Sequence, residues 1–465
     1  MEKYEKRIGR LYADAFSIQN LSFFPLVVKA IFMASSNRLV VIGLDGMSFF
    51  QARFAAKEFG LDNLKYLTDS TNCRSITSEL PELSPVNWTS FFTGKGPEEH
   101  GVFGFVNIDP KTYQIYLTDF TKVKTRTIFS KLSEKNVFSK VINVPNTYPA
   151  PYINGIIISG FVARDLNNAV FPKFFIPILK DINYRLEPDT IKGIKDPEYL
   201  ISEIFLTMDS RKRAFDLLWP DLAWDLFIFV ITEIDRINHF MYPAIFDKKN
   251  RFHSMVKEFF KKLDQIIGDI IDRYNALPDP KRMIVVADHG FCELITEVDI
   301  NVILKNAGFL KLDGKSKTEL DANVISDKSI AFALDPGRIY IHKKGIYSKG
   351  KVTDNDYPKV INDIKELLKE ITYKNKKVFK EIYFKEEIYP GSNHIDTPDI
   401  LCVPNKGFDL KAKFNRNHVF GNYGRFGTHF YEDAIFFDSQ DEKKAKKVRD
   451  VGNIIIEHFE KRIIK

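Results

Sequence analysis

The chain has 465 residues and a formal net charge of +7 at pH 7, and 44% of its residues are hydrophobic. This apolar content excludes wholesale disorder, and the length predicts one large domain with a substantial insertion, or two or three domains. Acidic and basic residues are interspersed, so the charge gives no argument for specific nucleic-acid binding. The three cysteines, Cys73, Cys292 and Cys402, are widely separated, which argues against a disulfide framework or a thiolate zinc site and predicts a cytoplasmic protein.

Residues 1–37 differ in character from the rest, and we treat them as an N-terminal extension. Residues 23–34 are apolar apart from Lys29, but this run is shorter than the about 20 residues that cross a bilayer, so we expect no transmembrane span. Lys29 also interrupts the apolar region that a secretory signal needs. A peripheral membrane contact through residues 15–34, and an extension upstream of a second start at Met33, are both left open.

Short apolar runs, typical of strands buried on both faces, recur along the chain. They lie at residues 38–44, 140–144, 155–159, 226–232 and 283–287. Helical patterns lie between them, including residues 210–218 and the amphipathic stretch 256–274, which we expect to pack on the sheet. This alternation predicts an α/β fold with a mostly parallel central sheet.

Two stretches depart from the alternation. Residues from about 161 to 208 have a weak pattern and are predicted to form a cap over the sheet edge, as a lid or substrate wall. Residues 293–393 contain a strand pattern at 338–342 and a lysine-rich helix near 357–370, which together predict an inserted α+β subdomain. The predicted core therefore comprises residues 38–292 and 394–465, with 399–403 and 434–437 as its last strands.

Acidic and imidazole side chains follow three of the predicted strands. Asp45 follows residues 38–44, Asp235 and His239 follow residues 226–232, and Asp288 and His289 follow residues 283–287. Asp235 and His239 are four residues apart and would share one face of a helical turn. Each group alone fits a turn or a surface pair, but three parallel strands that bring such groups to one edge predict a metal site.

Two further side chains come from connecting segments. His429 ends the glycine-punctuated loop 424–429, which can return it to the same sheet edge. Ser84 precedes Pro85 at the start of a helical pattern, where it would cap the helix. The unpaired N–H groups and the positive dipole end of such a helix N-terminus would favour an anion such as phosphate near Ser84. Carboxylate and imidazole ligands without thiolate suit zinc, with manganese or iron as alternatives. These six groups and the Ser84 hydroxyl, seven in all, are enough for two ions that share a phosphoryl substrate.

Six motifs, in order, span almost the whole chain after residue 38: VIGLDG at 41–46, SPVNWTSFFTGKGPEEHG at 84–101, VINVPNTYP at 141–149, ITEIDRINH at 231–239, VVADHGF at 285–291 and FGTHFYEDAIFF at 426–437. Together they resemble the alkaline phosphatase superfamily, specifically the type I phosphodiesterase and nucleotide pyrophosphatase branch with its predicted phosphohydrolases or phosphomutases. The resemblance implies a three-layer α/β/α sandwich with a mostly parallel central sheet and inserted cap segments.

The resemblance also implies the roles of individual residues. Ser84 would be the nucleophile of a metal-dependent phosphodiesterase or nucleotide pyrophosphatase that forms a phosphoserine intermediate, and Asn87 would touch a non-bridging phosphate oxygen. One divalent ion, zinc or alternatively manganese, would be held by Asp45, Ser84, Asp288 and His289, and a second by Asp235, His239 and His429. Relatives often have threonine in place of Ser84, and either hydroxyl can serve as nucleophile.

Several alternatives stay open at this point. A phosphomonoesterase would need extra positive charge for the free phosphate oxygens, which Lys95, Arg236 or Arg425 can supply. A phosphonate hydrolase, a phosphomutase and an inactive metal-binding module are the others. The sulfatase signature is absent, because no arginine lies four residues after Ser84. We expect a small-molecule phosphate ester or diester as substrate, chosen by the inserted segments, and the oligomeric state is open.

Overall fold

The computed structural model describes residues 37–440 and 445–460, so the N-terminal extension and the predictions for residues 15–34 lie outside it. In chain order, the strands are β1 Arg38–Leu44, β2 Cys73–Ile76, β3 Val106–Ile108, β4 Ile115–Leu117, β5 Ser139–Val144, β6 Gly155–Ser159, β7 Val170–Phe171, β8 Leu226–Ile231, β9 Lys281–Val286, β10 Gly290–Glu293, β11 Thr296–Asp299, β12 Ala331–Leu334, β13 Arg338–Ile341, β14 Thr372–Tyr373, β15 Lys376–Lys377, β16 Phe379–Phe384, β17 Ile400–Pro404, β18 Phe408–Lys411, β19 Phe420–Gly421, β20 Gly427–Phe430 and β21 Ala434–Asp438.

The helices are α1 Phe49–Phe59, α2 Asp62–Thr68, α3 Ser84–Thr93, α4 Pro97–His100, α5 Ile128–Glu134, α6 Leu166–Ala169, α7 Phe175–Asp181, α8 Thr190–Gly193, α9 Pro197–Leu218, α10 Glu233–Phe246, α11 His253–Asn275, α12 Ile300–Asn306, α13 Tyr357–Lys369, α14 Lys385–Ile388 and α15 Val448–Glu460. Short 3₁₀ turns lie at Phe120–Lys122 and Ala322–Val324. None of the helices in the described ranges is long and apolar enough to cross a membrane.

The central sheet has eight strands in the order β2-β21-β9-β1-β8-β5-β6-β7. Strands β9, β1, β8, β5 and β6 run parallel, whereas β21 is antiparallel to β9 and β7 is antiparallel to β6. Every residue of β1, β5 and β8 is buried, so none of the three sequences alternates between apolar and polar residues. Strand β8 is wholly apolar, whereas β1 also buries Arg38, and β5 buries Ser139, Lys140 and Asn143. This mostly parallel sheet confirms the predicted fold class.

Two groups of helices flank the sheet. Helices α1, α2, α9, α10 and α11 pack against one another, and α3, α5 and α15 form the other group. Helix α11 buries the stripe that its periodicity predicted, including Phe259, Leu263 and Ile270. Helix α9 begins at Pro197 because Asp196 caps it through the N–H of Tyr199, so the predicted helix 210–218 is only its last part, and the predicted cap 161–208 ends inside this helix.

A second hydrophobic core lies in the inserted part of the chain. Its four-stranded sheet has the order β12-β13-β17-β16, and all three pairings are antiparallel. The strand predicted at 399–403 is β17 and belongs to this sheet, so its assignment to the core was wrong, and the inserted unit extends past residue 393. A buried apolar run shows that a strand is covered on both faces but not which sheet it joins.

Candidate active site

Three acidic residues lie at the carboxyl ends of the three central strands. Asp45 follows β1, Asp235 lies in the first turn of α10 after β8, and Asp288 follows β9; all three are at most 2% exposed. Because β1 lies between β8 and β9, the three carboxylates converge. Gly46 has a φ of +71°, which favours glycine, and its N–H donates to Asp288 Oδ1 at 3.1 Å.

Three imidazoles join the carboxylates, and each is oriented by the main chain. His239 lies one turn after Asp235 on α10, His289 follows Asp288, and His429 lies on β20, opposite Phe291 of β10. Their Nδ1 atoms are 3.2 Å, 3.1 Å and 2.7 Å from the carbonyl oxygens of Gly427, Gly290 and Glu82, respectively. A carbonyl only accepts, so Nδ1 carries the proton and each Nε2 lone pair is free to bind a metal.

The Nε2 atoms point into the cluster. His429 Nε2 is 3.0 Å from His239 Nε2 and 3.2 Å from Asp235 Oδ2. Two lone pairs that face each other at this distance repel unless a cation lies between them. Potential metal-binding groups are formed by Asp45, Asp288 and His289, and by Asp235, His289 and His429, with the ligand atoms of each group within 4.8 Å of one another. His289 is within reach of both groups.

Burial sets the protonation of these residues. It raises the pKa of Asp288 to about 7 and that of Asp45 well above its usual value, with Asp288 and Asp235 adding to the effect on Asp45. It lowers the pKa of His289 to about 4. Asp288 Oδ2 has no hydrogen-bond donor within the described residues. These carboxylate oxygens and neutral imidazoles fit zinc or manganese.

Ser84 lies at the centre of the cluster. Its Oγ is 3.4 Å from Asp45 Oδ1 and 3.3 Å from His289 Nε2. The prediction that Ser84 caps its helix was wrong: the chain is still extended at Leu83, the N-cap residue, and Ser84 is already the first helical residue. The hydroxyl therefore contacts the candidate ligands, and no side chain caps the first turn of α3, which leaves its N–H groups available for an anion.

The structure gives Asn87 a different place from the one implied by the resemblance. Asn87 is fully buried, its Oδ1 accepts from the N–H of Glu79 at 2.6 Å, and its Nδ2 donates to the carbonyl of Leu83 at 3.2 Å. Its amide thus holds the loop before Ser84. Sequence analysis missed Trp88, whose Nε1 donates to Asp45 Oδ2 at 2.8 Å. Its spacing of four residues from Ser84 on one helix was the available signal.

The three cations considered for the phosphate oxygens lie in different surroundings. Lys95 is 41% exposed and pairs with Glu99 at 2.9 Å on the surface. Arg236 Nη1 donates to Asp235 Oδ1 at 2.5 Å, so this arginine contacts the cluster directly. Arg425 precedes Phe426, whose backbone N–H donates to the carbonyl of His239 at 2.8 Å. The positive charge of Arg425 helps to lower the pKa of His239, after the larger effect of burial.

The sequence matches the profile of the type I phosphodiesterase / nucleotide pyrophosphatase family over residues 39–432. The chain belongs to this family. Its fold resembles murine ectonucleotide pyrophosphatase/phosphodiesterase 5, with a TM-score of 0.54, 12% identity, and coverage of 91% of this chain and 95% of the murine chain. It also resembles phosphonoacetate hydrolase from Sinorhizobium meliloti 1021 in complex with phosphonoformate, with a TM-score of 0.56, 14% identity, and coverage of 87% and 90%. Comparison with curated proteins gives no match.

At these identities, the two structural likenesses show the fold alone. Membership of this family makes phosphoric ester hydrolysis the reaction class expected at this site.

Proposed function

We propose that this protein is a two-metal phosphohydrolase of the phosphodiesterase and nucleotide pyrophosphatase type, which acts through a phosphoserine intermediate on Ser84. The position of the Ser84 hydroxyl is the observation that supports this most. Its Oγ is within 3.4 Å of both Asp45 Oδ1 and His289 Nε2, and it lies at the uncapped N-terminus of α3. Few surroundings combine a nucleophile, cation ligands and a site for a phosphoryl anion so closely.

The proposed ligands divide into two sets. One divalent ion would be held by Asp45, Ser84, Asp288 and His289, and the other by Asp235, His239 and His429. The cluster fits such ions because three buried carboxylates face imidazoles whose pKa values burial has lowered, so they act as neutral donors. When bound, two divalent ions neutralise the phosphoryl group and lower the pKa of nearby hydroxyls and water towards about 7.

The residues of the chain would then act as follows. Asp45 Oδ1 and His289 Nε2 orient the Ser84 hydroxyl, which gives its proton to a water molecule and attacks phosphorus. The bond from Ser84 Oγ to phosphorus forms as the bond to the leaving oxygen breaks, and that oxygen takes a proton from water. The first N–H groups of α3 face the negative charge on the phosphoryl oxygens. A water molecule then displaces Ser84 Oγ from phosphorus, and the serine regains its proton.

A substrate panel tests the activity. We expect a bis-aryl phosphate and a dinucleotide pyrophosphate to be hydrolysed faster than an aryl monophosphate or an aryl phosphonate, with zinc or manganese present. Equal rates on all four would contradict the diesterase assignment. Product analysis separates a mutase, which would transfer the phosphoryl group without releasing it, and a protein that binds metal but turns over no substrate would be a binding module.

A matched pair of variants tests the nucleophile. Ser84→Ala, with metal content confirmed, should abolish turnover and trapping of a phosphorylated serine. Ser90→Ala is the control, because Ser90 lies on the same helix, is also buried, and its Oγ contacts His100 Nε2 at 2.9 Å instead of the cluster. Wild-type turnover of a diester by Ser84→Ala would show that another group attacks phosphorus.

A further inference from the structure

Charged side chains of alternating sign extend from the candidate site into residues 160–196, between β6 and α9, which are called the inserted segment here. Arg236 Nη1 donates to Asp235 Oδ1 at 2.5 Å, and Arg236 Nη2 lies 3.1 Å from Glu187 Oε2. Glu187 Oε1 lies 3.2 Å from Arg211 Nη2, and Arg211 Nη1 donates to Glu233 Oε1 at 2.9 Å. Glu187 comes from the segment between β6 and α9, which sequence analysis predicted as a cap.

These contacts are shielded from solvent. The side chains of Arg211 and Glu233 are 1% exposed, and those of Arg236 and Glu187 are 16% and 21% exposed. The guanidinium of Arg236 also lies over the ring of Phe161, 5.1 Å from its centroid. Buried charge pairs contribute little net stability against apolar replacements, but they hold their groups in one geometry. The arrangement therefore suggests a positioning role.

The two carboxylate oxygens of Asp235 have different partners. Oδ1 accepts from Arg236, whereas Oδ2 faces His429 Nε2 at 3.2 Å and His239 Nε2 at 3.4 Å. Arg236 therefore sets the rotation of the carboxylate so that Oδ2 is the oxygen presented to the two imidazoles. Planar guanidinium groups give such directional contacts, which lysine cannot reproduce.

We propose that Arg236, clamped by Glu187, is a positioning residue that orients Asp235 for the second metal ion and so couples this ion site to the inserted segment. The proposal rests on the two-metal function proposed above. It gives the segment a role in assembling the site, in addition to any contact with the leaving group.

The direction in which Arg236→Gln changes the metal affinity distinguishes a positioning role from a simple effect of charge. Arg236 carries a positive charge beside a cation site, so by charge alone Arg236→Gln would strengthen metal binding. Positioning predicts the opposite. Arg425 supplies the matched control, because its charge also acts on His239 but no hydrogen bond joins it to a proposed ligand in the described part of the chain. Arg425→Gln should leave metal binding unchanged or slightly tighter.

Titration of the metal-stripped full-length protein with Co²⁺, followed by calorimetry and visible absorption, tests the proposal. We expect Arg236→Gln and Glu187→Gln each to weaken one of two binding events by about 10- to 100-fold and to shift its absorption band, while the other ion binds normally. The double variant should be no weaker than Arg236→Gln alone, and Arg236→Lys should recover only part of the loss.

A second control is Glu203→Gln, which removes the ion pair that Glu203 Oε2 forms with Arg185 Nη1 at 2.7 Å in the same region. This variant should bind both ions as the wild type does. Unchanged or tighter binding by Arg236→Gln, or equal weakening of both ions, would overturn the positioning role. A wild-type protein that binds fewer than two ions would instead contradict the two-metal function itself.

Discussion

Replacing Trp88 by phenylalanine removes one hydrogen bond from the candidate site while keeping an aromatic ring in place. Trp88 is fully buried, its Nε1 donates to Asp45 Oδ2 at 2.8 Å, and its ring packs edge-on against Phe91 with centroids 5.4 Å apart. This bond also lowers the pKa of Asp45, against the larger opposing effect of burial. In Trp88→Phe, the buried carboxylate loses a donor and becomes harder to ionise.

The expected loss of stability follows from these contacts. A hydrogen bond to a charged group contributes about 1.5–3 kcal/mol, and the smaller ring leaves a cavity that adds about 1 kcal/mol. Trp224→Phe is the matched control, because Trp224 is 1% exposed and its Nε1 donates to the neutral carbonyl of Trp219 at 3.3 Å. The hydrogen bond of Trp224 should contribute about 0.5–1.5 kcal/mol, so Trp88→Phe should lower the free energy of unfolding by about 1–2 kcal/mol more than Trp224→Phe does.

Urea unfolding of the two metal-stripped variants measures this difference at a pH high enough for Asp45 to be ionised, and zinc titration measures its effect on the site. We expect Trp88→Phe to bind zinc more weakly than wild type near neutral pH and to approach it as pH rises, because Asp45 must lose a proton before it can ligate. Trp224→Phe should bind zinc as the wild type does. Equal losses of stability and equal zinc affinities in both variants would refute the reasoning that the indole fixes the Asp45 carboxylate.

Three further outcomes are expected. Zinc affinity of the metal-free protein should fall by at least about tenfold per pH unit below pH 7, because burial raises the pKa of Asp288 to about 7 and also raises that of Asp45, so protons compete with the metal at both carboxylates. Calorimetry at pH 6 and 8 measures this. Burial raises the pKa of Asp335, but Lys413 and Lys411 outweigh this effect and lower it to about 2. Asp335 therefore contributes about 2 kcal/mol to the free energy of unfolding above pH 4, and this contribution is lost as pH falls towards 2. Asp335→Asn should lower the midpoint of urea unfolding at pH 7 but not at pH 2. Ser84→Thr keeps the hydroxyl and should retain diester hydrolysis, and activity as low as that of Ser84→Ala would contradict the proposed nucleophile.

The parts of the fold that could be predicted are those where local pattern and tertiary burial coincide. The strands predicted at 38–44 and 155–159 match β1 and β6. Such strands are covered on both faces, so their middle positions are apolar and turn residues mark their ends. The same rule placed Asp45, Asp235 and Asp288 at one sheet edge, because a residue that follows a parallel strand has little freedom in where it lies.

The errors came from positions where local sequence permits two structures. Residues 400–404 read as a buried strand in either sheet, and only the pairing of β17 with β13 and β16 decides between them. Ser84 before a proline fits both a cap and a first helical residue, and the extended backbone at Leu83 decides for the latter. In both cases, the deciding contact involves residues that local periodicity does not report.

Orientation of the ligands was the least predictable feature, for a related reason. Trp88 fixes Asp45 from another element, and Glu187 reaches Arg236 across 49 positions from a segment with little periodicity. A strand end determines where a carboxylate lies but not which of its two oxygens faces the metal. That choice depends on donors from segments placed by tertiary packing.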